Sequence, residues 1–514
     1  MNKIKNTTDR YSIMYRFQEN NSDYEVISSS IYEDDFITWS LVKKGLAKKL
    51  LIAAPSQEKL PSQFEGQNTL FNGNAFLLCE MNHQNADALR QALPYTKAVL
   101  VGKANSFGFG DRLGNAGPAH LRSLENSGFI PILAQQSIRE LDRTRRTASE
   151  VMDQATWAVF QEGYTSGFGA DADHLKTEKD IDRMMAAGYT MHTIDPSDYV
   201  DNRIIGMDEK ELESAFEELP WENLKDSPED FHDRYVAKTF NLKNKITLKP
   251  SRLDILRAAV KYGRVILHTH KMFAYLKTTY SGYDTEVELS VDETPHPTTP
   301  EEHLIIAAEL QRLGVDLVSL APRFCGDFEK GIDFKGDLEE FQREYLIHQG
   351  IAQKYGGYKI SLHSGSDKFS VYETIGKIPE GNVHIKTAGT SYLEALRAVA
   401  MTDASLFREI FKYSSARFET DRKTYHISAE LDKLDAPDKI SDNDLPALLS
   451  DDNARQILHV TFGSVLTHTE NGSGSFRERI MDVLNRNEQI YEECLYKHFR
   501  KHIKPFEGVL HHQR

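Results

Sequence analysis

The sequence predicts an α/β chain folded as a (β/α)8 TIM-type barrel with an extension at each end. Three observations carry that expectation. From residue 97, short apolar runs alternate with helix-period segments in eight successive units. No hairpin signal separates them, and strands joined through helices pair in parallel. Polar residues gather where the apolar runs end, which is the edge where barrel enzymes build their sites. A doubly wound open sheet is the alternative architecture.

The strand candidates are Lys97–Gly102, Phe129–Ala134, Gly167–Asp173, Tyr189–Asp195, Thr285–Val291, Val315–Leu320, Gly357–His363 and Asn382–Lys386. Helix patterns lie between them. Pro118–Asn126 has Pro near its start and Gly128 beyond its end, and Lys179–Ala187 puts Ile181, Met184 and Met185 on one face before Gly188. Ser251 opens a long helix. Thr299-Pro300-Glu301-Glu302 combines an N-cap, a first-turn proline and a capping-box glutamate. Leu338–Lys354 and Tyr392–Ala400 have helical patterns after the sixth and eighth strands.

Residues 1–95 read as an N-terminal cap with strands at Leu50–Pro55 and Asn74–Cys79 and a helix at Asn85–Leu93. The barrel spans 96–400 and carries an acidic insert at about 197–250. Residues 401–514 form a mostly helical extension, with one strand-like run, Gln456–Phe462, and a tail helix, Phe476–Phe499, suited to packing or oligomer contacts.

A chain of 514 residues with 40% hydrophobic and 27% charged content can bury a large core. Its net charge of −15 argues against nucleic acid or an anionic membrane as a partner. Three cysteines without a CxxC suit a reducing compartment. The opening MNKIKNTTDRYS is too polar for a signal peptide, and no apolar run approaches membrane-spanning length. The expectation is a cytoplasmic protein that acts on a small molecule and has the means to form a homo-oligomer.

The stretch SGFGADADHLKT organises the site. Asp171 and Asp173 share one face of a buried strand, which is costly unless a cation or hydrogen bonds compensate them. The alternative is a solvated loop whose Asp residues cap the next helix. In TEVELSV, Val287, Leu289 and Val291 face the helices, so Glu286, Glu288 and Ser290 point into the lumen, where ordinary barrels pack aliphatic residues. His384 and Lys386 follow the same phase. Charged lumen residues from different strands suit a divalent ion: zinc, manganese, cobalt or nickel. Asp173 and His363 are the ligand candidates, with His384 or Glu288 as a third; a hydrogen-bonded core histidine is the competing reading of His384. Asp171 and Glu288 are the acid–base candidates, and Glu293 could replace Glu288. Arg323, Lys368 and Lys386 are candidates for holding a substrate carboxylate or phosphate, and Arg112 for contacting the substrate beside the glycine-rich loop. SFGFGDRLG lacks the third glycine of a dinucleotide loop, and glutamines end the second strand where an acid is needed. His268 and His270, two apart on a helix, read as structural.

SGFGADADHLKT, ELSVDETPHPTTPEEH, APRFCGDFEKG, HSGSDKFS and KTAGTSYLEALR together resemble the tagaturonate epimerase family. The resemblance covers most of 97–400 and implies a metal-dependent barrel that interconverts D-tagaturonate and D-fructuronate and uses basic residues to hold the uronate. The two sugars differ at a carbon β to the ketone, whose C–H is not acidic. A retro-aldol route fits that chemistry, and ketone migration with proton abstraction is the alternative. A metal-dependent aldolase or lyase, a non-catalytic sugar-binding protein and a carboxylate-pair glycosidase remain competing classes.

Overall fold

The computed structural model describes residues 7–34, 36–378, 381–470 and 474–508. Near the N-terminus, β1 (Glu25–Asp34), β2 (Ile37–Lys44), β3 (Ala47–Ala54), β4 (Gly66–Phe71) and β5 (Asn74–Glu80) form one antiparallel sheet in the order β1-β2-β3-β5-β4. The cap anticipated at 1–95 is therefore a sheet, of which the sequence reading found only β3 and β5. Trp39, Leu41, Leu50 and Ile52 form a core that includes Trp157 and Phe160 of the helix Ala148–Gln161. That contact seats the sheet on the outer face of the barrel.

Eight parallel strands then close a barrel in chain order: β6 (Ser106–Phe109), β7 (Ile130–Ser137), β8 (Gly169–Leu175), β9 (Met191–Ile194), β10 (Glu286–Ser290), β11 (Ser319–Ala321), β12 (Lys359–Leu362) and β13 (Val383–Thr387), which pairs back to β6. Seven of the eight expected strands overlap these elements. The exception is the first. Lys97–Gly102 is not a strand; β6 comes from SFGF, whose glycine-rich surroundings suggest a loop. The expected segment crosses the floor of the barrel instead. Val101 joins Ile132, Met191 and Val318 in a small apolar plug, while Val99 and Leu100 are each 43% exposed. In β6 the bulky Phe107 and Phe109 join the main core. Gly108 faces Gln135 so closely that an added Cβ would lie 1.6 Å from Gln135 Oε1.

The capping signals hold. Ser251, Thr299, Thr147 and Thr177 each accept from the backbone three residues on, and each helix carries its reciprocal acid. Helices Glu209–Glu217 and Pro228–Tyr235 lie in the acidic insert, where Leu212, Phe216 and Phe231 are buried. In the C-terminal extension, Gln456–Phe462 is not a strand: Asp451 caps the helix Asp452–Val460, and the apolar run packs at helical spacing, with Ile457 and Val460 against Phe418 and Ile427. The tail is two helices, Phe476–Arg486 and Glu488–Ile503. Among the described residues, no helix is long and apolar enough to cross a membrane.

Candidate active site

A lysine stands at the centre of the lumen. Lys386 Nζ on β13 lies 2.6 Å from Asp171 Oδ2 and 2.8 Å from Asp173 Oδ1 on β8, and 2.7 Å from Glu288 Oε1 on β10. It also donates to Thr193 Oγ1 on β9 at 2.7 Å, and Thr193 donates to Asp171 at 2.8 Å. From β13, Lys386 can reach β8, β9 and β10 only across the interior, which establishes the inward phase of all five residues. Burial opposes the charge on Lys386, but the three carboxylates outweigh it and hold its pKa well above the usual lysine value. Burial, with like charge from Asp173 and Glu288, raises Asp171 to about 6. Burial also opposes the charge on Glu288, but Lys386 and His363 hold its carboxyl well below the ordinary range. An unpaired buried ion costs several kcal/mol, so these groups depend on one another.

Above the lysine, Asp173, His174 and His363 each offer a ligand atom, and these atoms all lie within 4.8 Å of one another. His363 Nε2 lies 2.7 Å from Glu288 Oε1, and its Nδ1 lies 3.3 Å from Asp292 Oδ1. His174 Nδ1 lies 3.3 Å from Asp195 Oδ2. Burial and Lys386 press the His363 imidazole toward neutrality, but Asp292 and Glu288 raise it to about 9. Burial likewise opposes charge on His174, and Asp173 and Asp195 raise it to about 10. His174 follows Asp173 directly, so plain strand alternation would turn it away from the lumen. Its φ of +55° and a register break between β8 and β9 after Ala172 bring it round to the same side. The sequence showed the residue but not the turn.

A cavity of about 310 Å³ opens at this end of the barrel and includes Asp292, Glu293, Arg323, Lys330, His363 and Tyr425. A narrower recess shares several of these groups and reaches Asp173, His174, Lys386, Arg112 and His459. Neither space is lined by Asp171 or Glu288, which lie beneath Lys386. Strand phase makes them acid–base candidates, but their depth keeps them from a substrate in either space, and their geometry instead supports the charge of Lys386. A larger cavity of about 650 Å³ lies at the opposite mouth, beside Asn105, Ile130, Tyr358 and Asn382, and has no comparable cluster of ionisable groups.

The basic candidates separate. Arg112 is 2% exposed, binds Glu140 through Nε at 2.9 Å and Nη2 at 2.8 Å, and stacks on Phe462 at 3.6 Å. Among the described residues its Nη1 has no hydrogen-bond partner. Arg323 lines the wider cavity and donates to the Thr294 carbonyl. Lys368 does not reach either space. Its ammonium, pulled down to about 7 by burial, donates to the carbonyls of Glu329, Ile332 and Ser366 at 2.7, 2.5 and 3.0 Å. It ties the loop after β11 to the loop after β12 and has no role left for a substrate. His384 is also not in the ligand cluster: it lies one inward position deeper than Lys386, with Nδ1 2.9 Å from Ser106 Oγ, and burial holds it well below the ordinary imidazole value. The buried Lys359 shares that serine at 3.0 Å. Among the residues missed by sequence reading, Lys330, Tyr425 and His459 come from a loop and from the C-terminal extension, beyond the reach of strand phase.

The profile of the tagaturonate epimerase family matches residues 27–506. The chain is 45% identical over 486 residues to a tagaturonate/fructuronate epimerase of Thermotoga maritima, covering 94% of this chain and 97% of that one. Crystal structures of a fructuronate-tagaturonate epimerase from Cohnella laeviribosi superpose with 36% identity over 97% of this chain and 99% of that chain. The TM-score is 0.88 for the native form and 0.87 for a glycerol complex. With a closed barrel, an ionisable mouth and near full-length similarity, the chain belongs to the tagaturonate epimerase family.

Proposed function

We propose that this protein interconverts D-tagaturonate and D-fructuronate with the help of a divalent cation held by Asp173, His174 and His363. The observation that carries the substrate reading is 45% identity across 97% of the Thermotoga maritima epimerase. The cation reading rests on one carboxylate and two imidazoles with ligand atoms within 4.8 Å, a donor set suited to zinc, manganese, cobalt or nickel. A bound cation would supply Lewis-acid stabilisation of negative charge on the substrate oxygen.

The chain's own residues supply the rest. Lys386 lines the recess and remains an ammonium, with Asp171 and Glu288 below it keeping that charge in place, so its positive charge favours negative charge that develops on a substrate oxygen. A retro-aldol step needs a base for the hydroxyl proton at the epimerised carbon. Among the cavity carboxylates, Asp173 is committed to Lys386, Asp292 to Ser290 and His363, and Glu140 to Arg112. Asp327 pairs with His426, whereas among the described residues Glu293 has a single ion-pair partner, Arg139 at 3.3 Å, and is the group we assign as base. It takes the proton, the C–C bond opens, the aldehyde turns and re-adds, and the proton returns, so atoms and charge balance without a co-reactant.

Proton NMR of the protein with D-tagaturonate tests the reading. D-fructuronate signals should grow to an equilibrium mixture, stop after EDTA treatment and resume with a divalent ion. Lasting three-carbon fragments would mark a lyase, and full turnover in the EDTA-treated protein would remove the cation from the reaction.

A further inference from the structure

Resting on that reading of the substrate, we propose that Lys330, with the free Nη1 of Arg112 behind it, holds the carboxylate of the hexuronate. Lys330 lines both the wide cavity and the narrow recess. Among the described residues it forms no ion pair; its one hydrogen bond is to Ser364 Oγ at 2.5 Å. Every other cation at this mouth is committed: Lys386 to three carboxylates, Arg139 to Glu293, Arg323 to a carbonyl and Arg112 to Glu140 through two of its three nitrogens. Its half-buried ammonium touches only a hydroxyl, with Asp292, Glu293 and Glu140 acting on it from beyond ion-pair distance, and an anion in the recess would provide a direct partner.

Two independent features point to the same anion. Arg112 Nη1 is buried and unpartnered at a residue that lines the recess. Ala388 lines the recess just ahead of the helix Thr390–Thr402, whose N-cap Gly389 supplies no side-chain cap, and among the described residues the buried Thr390 Oγ1 has no partner. Unmatched donors at a helix start favour a carboxylate. The backbone places the lysine deliberately: Ser364 has a φ of +53°, which turns its hydroxyl toward Lys330 in the residue directly after His363. The arrangement would set the acid end of the sugar at a fixed distance from the ligand cluster, so that the reacting carbon is chosen by where the carboxylate sits.

The test compares wild type with Lys330→Met and Lys330→Arg. Calorimetric titration of D-tagaturonate into the cation-free protein should show binding weakened roughly ten- to a hundred-fold in the methionine variant and partly restored in the arginine variant. KM for the uronate should rise by the same factor. Any activity on the neutral ketohexoses, in which a hydroxymethyl replaces the carboxylate, should stay unchanged, as should the melting temperature. Equal binding by wild type and Lys330→Met would overturn the assignment, and so would a loss shared equally by uronate and ketohexose. If wild type binds D-tagaturonate but does not epimerise it, the functional reading fails while the carboxylate assignment is still judged by the variants. If wild type neither binds nor turns it over, both fall.

Discussion

Neither terminal extension offered a candidate site residue in the sequence, yet one of them reaches the chemistry. The N-terminal sheet buries Trp39, Leu41 and Ile52 against the outside of the barrel and gives no residue to the cavity. The C-terminal extension places Thr424, Tyr425 and His426 on the cavity wall and His459 in the recess, and sets Phe462 under Arg112. It also grips the loop that carries His363: Asp367, at a φ of +65°, binds Arg455 Nη2 at 2.6 Å and His498 Nε2, and its amide donates to His502 at 2.9 Å. Apolar seating makes the first extension an element of stability. Directional charged contacts make the second an element of site geometry.

Measuring turnover and thermal stability together on each variant sharpens that contrast. The largest loss of turnover belongs to the lumen. Asp171→Asn and Glu288→Gln should each lower turnover roughly a hundred- to a thousand-fold by weakening the field that holds Lys386. Both should stay folded, because two carboxylates remain against the ammonium. Wild-type rates in either variant would remove that residue from the mechanism.

Cation binding should be next in size. His363 and His174 are raised to about 9 and about 10 in the cation-free protein, so a cation has to displace their protons. Apparent affinity should climb at least tenfold per pH unit between roughly 6 and 8, and a flat profile by fluorescence or calorimetric titration would contradict the ligand set. The raised imidazoles add stability to the cation-free protein that is complete below their unfolded value of about 6.5 and is lost as pH rises through 9 to 10.

Asp367→Asn tests the grip of the C-terminal extension. It should lower turnover about tenfold through displacement of the His363 loop and cost about 3 kcal/mol of stability by removing the buried carboxylate charge that pairs with Arg455 and His498, although Glu394 remains beside both. Unchanged kcat would reduce that network to a structural tie. The smallest effect on turnover is expected at the other end: Trp39→Ala should cost about 3–5 kcal/mol in a denaturant titration, with kcat and KM near wild type. A fall in kcat there would erase the distinction between the extensions.

How much was legible from sequence follows from the range of each signal. Strand phase is local, so TEVELSV and NVHIK correctly turned Glu288, His384 and Lys386 inward. Cap chemistry is local too, and Ser251 and Thr299 opened their helices as expected. Phase does not give depth: His384 and Lys386 share a face, but only the latter reaches the recess. Nor does composition separate KAVLVG on the barrel floor from the true first strand, because both are short and apolar.

The sequence by itself determined the barrel, the polar lumen and the family, because periodicity, capping and long motifs are written in adjacent residues. Tertiary structure alone decided that Lys386 sits among three carboxylates, that Lys368 spends its charge on carbonyls, and that His174 joins Asp173 through a left-handed residue. Those outcomes depend on distances between groups up to 215 positions apart in the chain, set by ring closure, and on a single backbone angle that no residue type in this stretch dictates.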